Sequence, residues 1–122
     1  MRDEFETTEK NFFYFKERVE HWQTYFGLLN YQISVIHESW KDSLAWCQAD
    51  VTAGIATIAI ATMWDDRPTR KQINKVAFHE VCELLLWNLA EHAESNHSDL
   101  LITGLKHDII RRLENTLLKE KK

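Results

Sequence analysis

The stretch from Val76 to Trp87 constrains this chain most: Val-Ala-Phe-His-Glu-Val-Cys-Glu-Leu-Leu-Leu-Trp, an apolar run broken by one histidine and two glutamates. Read as a helix it is apolar almost all the way round, and such a helix is normally buried. Carboxylates in a buried helix are costly unless a partner or a metal neutralises them. At about 100° per residue, His79 and Glu83 lie one turn apart and about 40° from each other, with Glu80 about 60° beyond. An imidazole and a carboxylate at that spacing can close on one cation. It is the geometry of the H-E-x-x-H zinc motif, with glutamate in the second ligand position.

The rest of the chain sets the frame for that helix. At 122 residues it is expected to be a single domain (1–122) with one modest core. A net charge of −4 argues against nucleic acid as a partner, because phosphate contacts need a basic surface. Lys119, Lys121 and Lys122 read as a solvated end. The acidic, polar start does not read as a signal peptide. The longest run of low charge, residues 51–64, is too short to span a bilayer as a helix, so no membrane association is expected. Cys47 and Cys82 both sit in apolar surroundings, which favours free buried thiols in a reducing cytoplasm over a disulfide.

Three glycines and one proline leave most of the chain to regular structure. Phe5, Phe12, Phe15, Val19, Trp22 and Phe26 recur by threes, fours and sevens, predicting a helix over about 4–26 that Gly27 stops. Alternation over 31–36 predicts a strand, a second fits 44–51, and a third fits 55–64 despite its alanines and glycine neighbour. Asp65-Asp66-Arg67-Pro68 is a turn, and Thr69 can cap a helix running to about Ala93. Residues 94–98 break it. A last helix over about 99–118 carries Ile102, Leu105, Ile109, Leu113 and Leu117 as its expected core stripe. Helix, three strands, helix, helix make an α+β domain with a small, mainly antiparallel sheet.

Standing alone, H-E-x-x-E is an ordinary product of acidic helices. The plain alternative is a satisfied core histidine beside a solvated acidic stripe. Two features favour a site: the bulky apolar residues Phe78, Leu86 and Trp87 flank it, and the last helix carries more ligands, His107 and Glu114. These are seven residues apart, about 10 Å along a helix, so one ion cannot take both. Angle favours Glu114, whereas composition favours His107, since two imidazoles and a carboxylate are a common catalytic zinc set.

This layout, with Lys106-His107-Asp108-Ile109-Ile110-Arg111-Arg112-Leu113-Glu114 on the second helix, resembles the minimal zincin-like metallopeptidases of phages and prophages, of gluzincin type. The resemblance implies His79 as first ligand, Glu80 as general base, and Glu83 where the family has its second histidine. His107 falls at or near the place of the family's acidic ligand, with Glu114 as the alternative. Two outer ligands have then exchanged identity, and the set remains two histidines and one glutamate.

That likeness implies zinc, a protein or peptide substrate, and a bacterial host cell as the setting. Substrate would lie along an edge strand, expected at residues 55–64, with Tyr31, His37 and Arg111 as open choices for an oxyanion donor. Two other readings compete: an inactive binding protein that engages a host protein, and a metal-free polar network fixing helix pairing. An exposed strand edge also leaves room for a homodimer. Cys82 reads as a packed thiol, Trp40, Trp46, Trp64 and Trp87 as core and rim, and His92 and His97 as exposed.

Overall fold

A computed structural model describes residues 4–118; the terminal lysines and the first three residues, on which the expectations of a solvated end and of no signal peptide partly rest, lie outside them. The class is α+β, as expected. In chain order the elements are β1 (Phe5–Glu6), α1 (Glu9–Tyr25), β2 (Gln32–Glu38), β3 (Ala45–Asp50), β4 (Ile55–Ala61), β5 (Met63–Trp64), α2 (Arg70–Leu85), α3 (Trp87–Glu94) and α4 (Asp99–Leu117).

The first helix starts later than its aromatic stripe suggests. Thr8 accepts from the Asn11 amide and the Asn11 side chain accepts from the Thr8 amide, a reciprocal cap that ends the helix there. Phe5 therefore sits in a short strand paired with Trp64, and the Thr7 hydroxyl donates to the Ala61 carbonyl at 2.7 Å. Beyond the cap, Phe15, Val19 and Trp22 face the core. Gly27, at φ +69°, stops the helix as expected.

The sheet has the order β2-β4-β3 and is mixed rather than mainly antiparallel. β4 pairs antiparallel with β3 but parallel with β2, from Gln32↔Ile55 to Glu38↔Ala61. The reason lies in the connection over residues 39–44. It carries the chain past the end of β4 to the far edge, and the hairpin at Gly54 (φ +68°) then inserts β4 between its neighbours. A Cβ on Gly54 would also lie 3.0 Å from the Asn30 carbonyl oxygen, so the turn admits glycine on both counts. Ala56, Ile58, Ala59, Ile60 and Ala61 are all buried, as a central strand requires. The expected single strand over 55–64 is two, with Thr62 between them.

Thr69 caps α2 by accepting from the Gln72 amide. Ile73, Ala77, Phe78, Val81, Cys82 and Leu84 of α2 are buried, Phe78 edge-on to the Trp22 ring at 4.8 Å. The expected long helix breaks at Leu86, without proline or glycine. None of α3's residues is buried. α4 is rotated from its expected setting. Ile102 and Ile110 are buried, while Leu105 and Ile109 are 54% and 40% exposed. Lys106 stands one turn from each buried isoleucine, and it turns inward with them.

Candidate metal centre

α2 presents His79, Glu80 and Glu83 towards a cleft of about 500 Å³, closed on one side by His107 of α4 and on the other by Leu44, Ala45, Trp46 and Cys47 of β3 and its approach. The i, i+4 spacing places the His79 Nε2 3.4 Å from Glu83 Oε1. The His107 Nε2 comes within 3.3 Å of that same oxygen. One ligand atom from each of the three residues lies within 4.8 Å of the other two.

Those separations are informative. Charge-assisted N–H···O bonds close to about 2.7–2.9 Å. Ligand atoms at about 2.0–2.1 Å from a tetrahedral ion stand about 3.3 Å apart. The two edges at Glu83 Oε1 are near the second figure, long for a hydrogen bond yet close enough for His79 and Glu83 to shift each other's titration. The imidazole nitrogens lie within 4.8 Å of each other. The imidazoles are partly exposed and the Glu83 side chain is 13% exposed. Three ligand groups thus converge from a mostly buried base, with the cleft leaving room for a further one. His79, Glu83 and His107 could together hold a metal ion.

Glu83 is also held from behind. Its Oε2 receives the Lys106 ammonium at 2.7 Å. Burial pushes the Glu83 carboxyl up, but its bonds to His79 and Lys106 more than offset this and hold it at about 2. The His79 imidazole is raised by its bond to Glu83, against the opposing effect of burial. Glu80 behaves oppositely. It is 7% exposed, and burial raises it to about 7 even though His79 and Lys106 pull it down. Two glutamates on one helix thus differ widely in proton affinity, an arrangement typical of acid–base sites.

The sequence-based site residues divide cleanly. His79, Glu83 and His107 come together, and Glu80 lines the same cleft. Glu114 does not join them; it lines a separate cleft with Trp22, Asn74 and Arg111. Arg112 pairs with Asp108 at 3.2 Å. Of the oxyanion choices, Arg111 lies in that other cleft, and His37 is bonded to Thr7 and stacked on Phe12. Tyr31 is buried, and none of the three lines the candidate centre. The strand beside the site is β3, not the central β4, because the inserted hairpin leaves β3 at the edge.

Cys82 is fully buried, its thiol pushed up to about 12 mainly by burial, as a packed core residue should be. Cys47 lines the cleft and is only partly buried, although burial raises its thiol too. His92 and His97 are exposed. Lys106 and Trp46 join the site although the sequence does not mark them for it. A lysine spaced by four from both Ile102 and Ile110 is the signal that could have found the first. No protein-family model matches the chain, and no curated protein or solved structure is significantly similar to it.

Proposed function

We propose that this chain is a zinc-dependent, zincin-like hydrolase acting on a peptide or protein. The observation that carries the reading is the single oxygen of Glu83 facing two imidazole nitrogens at 3.3 and 3.4 Å, with the buried Glu80 in the same cleft. A bound divalent ion supplies Lewis acidity and makes water a nucleophile near neutral pH. Glu80, in the same cleft, would be the group placed to accept a proton from such a water. Its pKa of about 7 suits it to hold the proton and return it to a leaving amine. Leu44, Trp46 and Val76 give the cleft apolar walls for a substrate side chain. Two free cysteines suit a reducing bacterial cytoplasm, with a phage or prophage origin, and among the described residues no helix is long and apolar enough to cross a membrane.

The test is elemental analysis of the purified chain beside Glu83→Ala, His107→Ala and Glu80→Gln. One zinc per chain is expected in the wild type and in Glu80→Gln, and none in the other two. Hydrolysis of a peptide library should vanish in Glu80→Gln. Zinc retained by His107→Ala, or hydrolysis retained by Glu80→Gln, overturns the reading.

One observation favours a second reading, a fold that has kept its polar cluster as a binding protein for a host protein. Lys106 already neutralises Glu83, so the cluster is electrostatically complete without an ion. Metal-free protein that folds normally and gains no thermal stability from zinc would leave this reading and that of a metal-free polar network fixing helix pairing.

A further inference from the structure

The two oxygens of Glu83 face different groups. Oε1 faces His79 and His107, whereas Oε2 is bound by the Lys106 ammonium at 2.7 Å. The Lys106 side chain is largely buried, its place in α4 set by Ile102 one turn before and Ile110 one turn after. A carboxylate can take a metal with one oxygen or with two, and an oxygen already bound by an ammonium is not free to turn.

We propose that Lys106 is a positioning residue of the metal centre: its ammonium holds Oε2 so that Glu83 offers Oε1 alone. This rests on the metal-binding reading above. With one oxygen committed, the protein contributes two nitrogens and one oxygen and leaves room for a reacting ligand. Without Lys106 the carboxylate would be free to turn Oε1 away from the two imidazoles, and the three ligand atoms would no longer converge.

A lysine so near a cation also repels it. Were charge its only effect, removing it would tighten metal binding. Positioning predicts the opposite sign.

The experiment titrates the full chain with cobalt(II), following visible absorption, and measures zinc affinity by competition for wild type, Lys106→Met, Lys106→Gln and Lys106→Arg. The wild type should bind one cobalt with the intense absorption of a four-coordinate ion. Lys106→Met should bind roughly 10–100-fold more weakly, the usual loss when the group orienting a ligand is removed. Its absorption should weaken as water takes the place of the unheld carboxylate and the coordination number rises. Lys106→Arg keeps a cationic donor to Oε2 and should recover both affinity and spectrum. Lys106→Gln, a neutral donor, should lose part of the affinity, and it carries the same reading should Lys106→Met not fold. Unchanged or tighter binding in the Met and Gln variants, whatever the spectrum, overturns the positioning role alone. A wild type that binds no cobalt overturns the metal reading, and this role with it.

Discussion

The candidate centre is built from two helices held with very different firmness. α2 brings His79, Glu80 and Glu83 on a segment whose Ile73, Ala77, Phe78, Val81, Cys82 and Leu84 are all buried between α1 and the sheet. α4 brings Lys106 and His107 on a helix with Ile102 and Ile110 as its buried residues. Half of the site is part of the core, and half is attached to it. A group that binds both halves would therefore tie α4 down, and its energy would appear mostly as order in α4.

The largest effect expected is at the firm half. Phe78→Ala removes a fully buried ring in contact with Trp22 and Phe26. It should cost about 3–5 kcal/mol, measured by denaturant unfolding. The loss should fall on the whole molecule, with α1, α2 and the sheet unfolding together. If α4 alone loosened in this variant, the assignment of the core to α2 would be wrong.

Next comes the charge buried in that half. The folded pKa of Glu80, about 7, stands above its ordinary 4.5, so the native state binds the proton more tightly than the unfolded chain. Stability from this group is complete below pH 4.5 and is lost as pH rises through 7. His79 and Lys106 oppose the shift, while Glu83 and burial support it. The difference corresponds to roughly 3 kcal/mol at pH 8. Glu80→Gln, in chelator, should be more stable than wild type by up to about that amount at pH 8 and equal to it near pH 4.5. Equal melting temperatures at pH 8 would show that water reaches Glu80 freely.

Legibility in the sequence divides along the same line. His79, Glu80 and Glu83 share a helix, so their mutual geometry is intrinsic to their spacing and survives any error in packing. Choosing His107 over Glu114 requires the rotation of α4 about its axis. The stripe through Leu105 and Ile109 misstates that rotation, because a cationic residue, Lys106, occupies an inward position where the pattern looks for a hydrophobe. The start of α1 is hidden because Phe5 continues the aromatic spacing, and the Thr8–Asn11 cap overrides it. The parallel pairing of β2 with β4 depends on which way residues 39–44 cross, and local alternation carries no trace of that. The expectation of residues 55–64 as the substrate-side edge fails for the same reason.

At the loose half the expected effects are smaller and local. Ile110→Val removes one methyl from a fully buried side chain, worth about 0.5–1.5 kcal/mol. Hydrogen exchange in chelator should show faster opening of α4 with α2 unchanged, since α4 can open without the core. Adding zinc to about a hundred times its dissociation constant should slow α4 exchange by up to roughly 2.7 kcal/mol of protection in wild type. Uniform protection across α2 and α4, with or without zinc, would mean that the two halves are one cooperative unit.

The smallest effect belongs to residues that the apolar pattern marks as core. Leu105 is 54% exposed although it stands one turn after the buried Ile102. Leu105→Ser should change unfolding free energy by no more than about 0.5 kcal/mol, the usual range for surface positions. A Leu→Ala-sized loss of about 2–5 kcal/mol is the alternative if Leu105 packs inward. That larger loss would also undo the site, because a helix turned far enough to bury Leu105 carries Lys106 and His107 away from Glu83. The exposed leucine and the converging histidine are two consequences of one helix rotation, so a thermal melt of a surface variant tests the metal centre without any metal.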